Sequence, residues 1–488
     1  MEDNNKYYQS RHFQRLLHRY EKAVAEGHVP YLEADELTDI AEYYMTGKQD
    51  AKANQAIRAA LKMHPDSVDP QIFLARQKMF YGQLDEARSI IDSITEQDDL
   101  EVVYVRAELL IKEGHPEEAS DFLLQQMGQM QDCLDTYLYD CAAIFMDYDQ
   151  WEMAGEWMVR LRDFCPDHLR LPIMEAEIRM GLDDYEEALT MLQKILDDEP
   201  YNSEAWNLLA ETHIALGDYA EALEAADFAL AINPQDNNAV LMKGNAYMHD
   251  DQMGAAIVYY TKYLEVQPDD LSVQISLCIC YTGEERYKEV LPLLEKAERY
   301  ARELPDREAD LPQILQMRAF ALSRLDRLGE ALAALEKARE AGDESLSWKF
   351  DLTEADIYLH CRQTKKAESC FMAALEKSPE RGDTLFNIAV SYSNEGYYSI
   401  ALDIFNDVWT IFGTQEGKFV VPYIANCYLR MNNMPGFLEY LRLSPYCDFR
   451  ATLYLFRDRF PGLQPEDYYR YAYKEVHGVF PPAGDNLL

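Results

Sequence analysis

The stretch SEAWNLLAETHIALGDYAEALEAADFALAINPQD, residues 203–236, decides the fold of this chain. Four residues of its first half fall at i, i+3, i+4 and i+7, on one face of a helix: Trp206, Leu209, Ala210 and His213. Gly217 then favours a left-handed helix end, and Asp218 is suited to cap a second helix. Pro234 ends that second helix, because proline lacks a backbone N–H and clashes with helical geometry. The stretch therefore predicts two amphipathic helices joined by a tight turn.

The same pattern recurs along most of the chain. Prolines 166, 200, 234 and 268 are spaced by 34 residues, and aligning the chain on that period produces two columns of small residues. The first column is Ala41, Ala75, Ala107, Ala142, Ala176, Ala210, Gly244, Cys278, Ala319, Ala355, Ala389 and Ala425. The second, twelve positions later, is Ala53, Ala87, Ala119, Ala154, Ala188, Ala222, Ala256, Val290, Ala331, Ala367, Ala401 and Phe437. Compositional bias would not place alanine in register so often, so the repeat is real. Small residues here would let the two helices of a unit approach closely.

These residues resemble the tetratricopeptide repeat, which has Trp, a Leu-Gly pair and Tyr in its first helix and Ala, an aromatic residue, Ala and Pro in its second. The match in the quoted unit is carried by Trp206, Leu209, Ala210, His213, Ala222, Ala229 and Pro234, with Ala210 and His213 replacing the family's Gly and Tyr. Twelve units are predicted, starting near residues 34, 68, 100, 135, 169, 203, 237, 271, 312, 348, 382 and 418. The resemblance implies an all-α, right-handed superhelical solenoid of about 24 antiparallel repeat helices, with capping helices at both ends.

The predicted units divide the chain into five segments. Residues 1–33 form a basic amphipathic cap helix, and residues 34–304 form the first repeat segment. A charged insertion at 305–311 follows, because the first column lengthens to 41 residues between Cys278 and Ala319. Residues 312–449 form the second repeat segment, and residues 450–488 form a C-terminal cap and tail.

Composition excludes several classes of protein. The chain has 488 residues, 46 basic and 87 acidic, and its net charge of −41 would repel nucleic acid and anionic membranes. No run approaches the ~18 apolar residues of a membrane helix, and no signal peptide is recognised at the N-terminus. Nine cysteines at scattered spacing suggest free thiols in a reducing compartment. We therefore expect a cytoplasmic protein with no nucleic-acid or membrane partner.

The sequence shows no catalytic or cofactor motif. It contains no glycine-rich phosphate loop, no HExxH, no GxSxG and no metal-spaced His/Cys cluster. His360 and Cys361 are adjacent but have no evident third group to orient them, so helix packing explains them better than a nucleophile does. We predict no enzyme activity, no catalytic residue, no metal and no cofactor.

The resemblance implies a binding groove lined by the first helices, with positions 2, 5, 9 and 12 of each unit facing it. Transferring those positions gives the candidate groove residues Glu42, Met45, Arg76, Met79, Glu108, Tyr139, Met146, Glu177, Met180, Asn207, Glu211, Asn245 and Met248. Position 12 is methionine in five of the first seven units, and methionine suits surfaces that adapt to varied apolar partners. The alternative is that position 12 is half-buried and methionine only fills gaps. With the glutamates beside it, the groove would favour basic, apolar segments.

One known mode of the family is not expected. Members that hold a C-terminal carboxylate use Lys, Arg and Asn over three consecutive units. Here Asn207, Asn238 and Asn245 have no Lys or Arg beside them, and Lys349 and Asn387 lack the remaining partners. The predicted function is a non-catalytic cytoplasmic scaffold or adaptor that binds protein partners. An assembly chaperone or a regulatory subunit of an enzyme complex is the alternative.

The N-terminal helix differs in charge from the rest. Basic residues recur on one helical stripe, at Arg11, Arg15, Arg19 and Lys22, opposite an apolar face of Phe13, Leu16, Leu17, Tyr20 and Val24. The apolar face would cap the first unit. The stripe is either solvated or docks on acidic surface of this chain or a second copy, so we expect a monomer or a weak homodimer.

Overall fold

A computed structural model describes residues 7–8, 10–46, 49–130, 133–303 and 309–482. Over these residues the regular structure consists of α-helices and short 3-10 turns, without β-strand. The first fourteen helices are α1 (Arg11–Ala25), α2 (Ala34–Thr46), α3 (Asp50–Met63), α4 (Val68–Phe80), α5 (Leu84–Ser93), α6 (Leu100–Lys112), α7 (Pro116–Gln126), α8 (Leu134–Asp147), α9 (Trp151–Phe164), α10 (Leu171–Gly181), α11 (Tyr185–Asp198), α12 (Ser203–Leu216), α13 (Tyr219–Ile232) and α14 (Asn237–His249). The remaining helices are α15 (Met253–Val266), α16 (Leu271–Gly283), α17 (Tyr287–Glu303), α18 (Leu311–Arg324), α19 (Leu328–Ala341), α20 (Ser347–His360), α21 (Thr364–Lys377), α22 (Arg381–Asn394), α23 (Tyr398–Glu416), α24 (Val421–Arg430), α25 (Met434–Cys447), α26 (Phe449–Phe456) and α27 (Pro465–His477).

Helices α2 to α25 follow one another along the chain as twelve pairs. The first helix of each pair begins within three residues of a predicted unit start, from Ala34 of α2 to Val421 of α24. Helix α1 precedes the pairs, and α26 and α27 follow them. The predicted all-α solenoid of helix pairs is confirmed.

The two predicted columns of small residues form the contacts inside the pairs. Every member of both columns is buried, including the two larger substitutes, Val290 and Phe437. Ala210 and Ala222, from the quoted unit, have no exposed surface. Because a buried methyl group leaves room for the facing backbone, these positions set how closely the helices of each pair approach.

The described residues divide into two compact units, one up to Ala246 and the other from Tyr247 onward. The division therefore falls within α14. Of the insertion predicted for 305–311, residues 305–308 lie outside the described residues. Packing continues from one side of it to the other, since Ala301 of α17 lies in one buried cluster with Leu315 of α18. Helix α17, which precedes the insertion, has 17 residues.

Both ends of the array are covered by apolar contacts. In the first unit, Phe13 and Tyr20 of α1 are buried in a cluster with Leu37 of α2 and Ile57 of α3. In the second unit, α26 and α27 contribute buried aromatic residues to a cluster with α25, in which Phe456 and Tyr468 are fully buried. These segments shield apolar faces that the first and last pairs would otherwise expose to water.

The turn inside nearly every pair places one residue in the left-handed conformation. Eleven such turns within the described residues have a positive φ at Gly82, Gly114, Asp149, Asp183, Gly217, Asp251, Glu285, Asp326, Arg362, Gly396 and Asn432. Gly217 has φ 83°, as predicted for a helix end of this kind. Asp218 follows it at the N-cap of α13 but makes no side-chain capping bond, so the predicted cap is absent.

One contact in the second unit joins distant parts of the chain. The Nη1 atom of Arg457, just after α26, lies 3.5 Å from Oδ2 of Asp251 in the α14–α15 turn and 3.4 Å from its carbonyl oxygen. The two residues are 206 positions apart. The second unit therefore contacts its own beginning through its C-terminal cap.

Candidate functional site

In the first unit, three adjoining cavities lie along the first helices of the pairs, and we call them together the first-helix groove. The first has a volume of about 640 Å³ and is lined by α2, α4 and α6 together with Tyr8. The second, of about 420 Å³, lies over α4, α6 and α8. The third, of about 370 Å³, is lined mainly by α8, α10 and α12. Arg76 lines the first two and Asp147 lines the last two, so neighbouring cavities share part of their walls.

The groove combines carboxylates with apolar side chains. Its lining contains nine carboxylates, Asp35, Asp39, Glu42, Asp69, Glu101, Glu108, Asp147, Glu177 and Glu211. It contains only two basic side chains, Arg76 and Lys112. Apolar contacts come from Met45, Ile72, Phe73, Phe80, Ile144, Met146, Trp151, Met180 and Leu208. The groove is therefore electronegative with an apolar surface beneath the charges.

Arg76 neutralises part of the middle of the groove. Its guanidinium donates to Glu108 through Nη2 at 2.8 Å and through Nε at 3.2 Å. The same Nη2 lies 3.2 Å from Glu101. These bonds connect α4 with α6 and leave the two outer parts of the groove as the most acidic sections.

In the third cavity, Glu177 of α10 lies near Glu211 of α12 and Asp147 of α8. Burial raises the pKa of Glu177 to about 7, with smaller contributions from Glu204, Glu211 and Asp147 that exceed the opposing effect of Arg170. Burial also raises the pKa values of Glu211 and Asp147. A carboxylate with a raised pKa is poorly compensated when ionised, so an entering cation would stabilise its charged form.

The first cavity has the same electrostatic character. Burial raises the pKa of Glu42, and neighbouring Asp39 adds to the shift, although a hydrogen bond from Tyr8 and the charge of Arg76 oppose it. Asp39 and Asp69 also have raised pKa values, again mainly because of burial. Both ends of the groove therefore contain partly buried carboxylates with raised pKa values, and within the described part of the chain these carboxylates form no ion pair with Lys or Arg.

A missing side chain shapes the wall of the third cavity. The aromatic ring of Trp151, at the start of α9, lies against the backbone of Gly181 at the end of α10. A Cβ atom at position 181 would lie 2.1 Å from Cδ2 of Trp151. Glycine is therefore required here for the ring to occupy its place beside Met180.

Eight of the thirteen predicted residues line the groove. They are Glu42, Met45, Arg76, Glu108, Met146, Glu177, Met180 and Glu211. Met79 does not, because it is 3% exposed and packs in the core of the second pair. At this position the structure agrees with the alternative interpretation, in which methionine at position 12 fills gaps in the core.

The other four predicted residues lie outside these cavities. Tyr139 is half-buried and stacks on His168, with ring centroids 5.3 Å apart. Asn207 donates through Nδ2 to Asp236 at 3.0 Å. Asn245 is half-buried on α14, and the sulfur of Met248 accepts a hydrogen bond from Tyr260 at 3.4 Å.

Some lining residues were not predicted, although a signal for them was present. Asp35, Asp69 and Glu101 occupy position 2 of the first three units, one of the positions that the resemblance assigns to the groove. Asp39 and Asp147 fall at positions 6 and 13, beside the assigned positions. The repeat pattern locates the first helices, but only the structure shows how each one is rotated.

The second unit does not contain an activated Cys–His pair at the adjacent residues His360 and Cys361. The Nδ1 atom of His360 lies 2.9 Å from Nη1 of Arg324 and 3.2 Å from Oε1 of Glu395. Burial raises the pKa of the Cys361 thiol, which reduces the thiolate fraction needed for attack. Among the residues that the structure describes, no group of His, Cys, Asp or Glu could hold a metal ion.

The successive helix pairs and their shared groove define a helical repeat protein. Family models described as "Tetratricopeptide repeat" match residues 49–104 and 179–246 and, separately, residues 238–270. These parts of the chain are therefore tetratricopeptide repeats. No helix within the described ranges is both long and apolar enough to cross a bilayer.

Curated proteins gave no match to this chain, whereas solved structures gave several. A tetratricopeptide repeat protein from Parabacteroides merdae is 17% identical, with 53% of this chain and 98% of that chain covered and a TM-score of 0.36. The Cut9–Hcn1 hetero-tetramer of APC/C gives 13% identity, 93% and 94% coverage, and a TM-score of 0.33. A double mutant of MamA RS-1 gives 22% identity, 36% and 94% coverage, and a TM-score of 0.33. Likenesses at these scores support no conclusion about partners.

Proposed function

We propose that this protein is a non-catalytic adaptor that holds basic, apolar segments of protein partners in the first-helix groove. One observation carries the proposal: the groove has nine carboxylates against two cations over an apolar surface. A segment that alternates Lys or Arg with Leu or an aromatic residue matches both features, because its cations compensate the carboxylates while its apolar side chains cover the methionines.

The cytoplasm is the compartment that we propose for this function. The described cysteines are all free, which is typical of proteins in a reducing compartment.

The proposal is tested by measuring fluorescence anisotropy of a labelled peptide that alternates Lys and Leu. Neutralising the third cavity with Glu177→Gln and Glu211→Gln should weaken binding about tenfold at low salt, since two partly screened ion pairs are lost. Binding to the unmodified chain should strengthen from pH 6 to pH 8, because the pKa of Glu177 is about 7 and its ionised form attracts the peptide.

A matched variant controls for the change in net charge. Glu186 and Glu221 are exposed in the first turns of α11 and α13, the second helices of their pairs. Neutralising both with Gln removes two carboxylates, as the groove variant does, without changing the groove lining, so binding should stay within about twofold of the unmodified chain. Equal weakening by the two double variants would reject the groove as the binding surface.

A further inference from the structure

The outer face of α1 has a charge opposite to that of the groove. Arg11, Arg15, Arg19 and Lys22 are all exposed on this helix, and we call them the basic face. Arg19 donates through Nη2 to the carbonyl oxygen of Tyr31 at 3.0 Å, a bond that leaves its charge uncompensated. Within the described residues, none of the ion pairs involves a member of the basic face. The face is a compact positive surface on a chain of net charge −41.

The packing of α1 prevents the basic face from reaching the groove of its own chain. Phe13, Leu17 and Tyr20 point the opposite side of the helix into the cluster formed with α2 and α3. Turning the basic face toward the groove would expose these buried side chains to water. An acidic groove that the basic face can enter must therefore belong to another molecule.

The spacing of the basic face fits the third cavity of the groove. From Arg11 to Lys22 the helix advances about 16 Å, at ~1.5 Å per residue. Two steps between neighbouring helices, each of about 8–10 Å, extend over a similar distance, about 16–20 Å. Asp147, Glu177 and Glu211 come from three successive first helices, α8, α10 and α12. A helix lying across them could bring a cation close to each carboxylate.

We propose that the basic face of one chain docks in the first-helix groove of a second copy. This inference rests on the proposed function, because it makes the chain's own N-terminal helix one of the basic segments that the groove accepts. The two surfaces are different, so the contact is heterologous and can continue head to tail beyond a dimer. Self-association and partner binding then compete for the same groove, and the partner would disperse the assembly.

Sedimentation velocity of the full chain at low salt tests the docking. The parent should form concentration-dependent oligomers that dissociate at high salt and on addition of the Lys/Leu peptide. Reversing the basic face with Arg11→Glu and Arg15→Glu should abolish association, as should Glu177→Gln with Glu211→Gln. A parent chain that sediments as a monomer at low salt and high concentration would overturn the inference.

Mixing the two variants distinguishes loss of a specific contact from a general change in repulsion between the chains. The chain with Arg11→Glu and Arg15→Glu, the face variant, keeps an intact groove. The chain with Glu177→Gln and Glu211→Gln, the groove variant, keeps an intact basic face. An equimolar mixture should therefore form dimers through that one remaining contact. Failure of the mixture to form any dimer, with a parent that oligomerises, would contradict the docking geometry. Arg58→Glu with Lys62→Glu is the matched control, because both residues are exposed on α3 at the same spacing of four. This control should oligomerise as the parent does.

Peptide binding separates this inference from the proposed function. The face variant should still bind the Lys/Leu peptide with the parent's affinity, since its groove is unchanged. If it binds peptide normally but oligomerises like the parent, the docking is wrong and the proposed function stands. If the groove variant retains full peptide affinity, the proposed function fails independently of any oligomer.

Discussion

At the scale of single residues, Gly181 shows that the wall of the groove depends on space as well as on charge. Replacing Gly181 with Ala would place a Cβ atom 2.1 Å from the Trp151 ring, so the ring or the helix end must move. We expect Gly181→Ala to lower the free energy of unfolding by about 1–3 kcal/mol, as overpacking does elsewhere. Urea denaturation followed by circular dichroism would measure the change.

Gly329→Ala is the matched control for this substitution. Gly329 lies in the first turn of α19, has no atom within 4 Å of an added Cβ and does not require a positive φ. Alanine there should leave stability unchanged or raise it by up to about 1 kcal/mol through the unfolded chain. If Gly181→Ala and Gly329→Ala change the free energy of unfolding equally, crowding at Trp151 is disproved.

The residue scale is also where prediction from the sequence was least complete. Glu177 and Glu211 were identified because the resemblance assigns their repeat position to the groove, and that assignment could be transferred to this chain by alignment alone. Met79 has the same chemistry and register as Met45, yet it is buried while Met45 lines a cavity. The difference comes from small rotations of each first helix against its neighbours, which depend on packing volumes that a period of 34 residues does not encode.

At the scale of elements, the turns inside the pairs require a residue in the left-handed conformation, even where the sequence has no glycine. Glu285 adopts φ 55° in the α16–α17 turn, and left-handed geometry costs a residue with a Cβ about 1–2 kcal/mol. Glu285→Gly should therefore raise the free energy of unfolding by about 0.5–1 kcal/mol, after allowing for the greater freedom of glycine in the unfolded chain. Thermal unfolding monitored by circular dichroism would detect it.

The neighbouring residue supplies a control of opposite sign. Glu284 is also exposed but has φ −86°, which any residue adopts without strain. Glu284→Gly should lower stability by about 0.5 kcal/mol, because glycine there only adds entropy to the unfolded chain. A stabilising effect at both positions would show that relief of charge, and not backbone strain, is responsible.

Elements were the level at which the sequence was most informative. The alanine columns located the helix pairs, because helices that approach closely need small residues on both sides whatever their partners. The left-handed turns were foreseen at Gly217 but not at Glu285 or Arg362, whose side chains give no signal for that conformation. The boundary between the two units within α14 was also not predicted, since no change in composition marks it.

At the scale of the whole molecule, charge works against folding. A net charge of −41 produces self-repulsion over the surface, and salt screens it beyond a Debye length of about 10 Å at 0.1 M. We expect the midpoint of thermal unfolding to rise by about 2–5 °C when sodium chloride increases from about 0.01 M to about 0.3 M. Differential scanning fluorimetry would measure it. Potassium chloride should act equally, and a midpoint that falls with salt would mean that the ion pairs outweigh the repulsion.

The contact between Arg457 and Asp251 changes how the second unit can come apart. In a repeat array whose pairs touch only their neighbours, each end can fray alone, one pair after another, without effect on the other end. Arg457 contacts the first turn of this unit from its last segment, so the beginning and the end of this row of pairs are joined directly. Fraying at the C-terminal end then removes a restraint from α14 and α15 as well. Loss of order at the C-terminal end therefore affects a turn 206 residues away, and the effect does not have to be transmitted through the pairs between them.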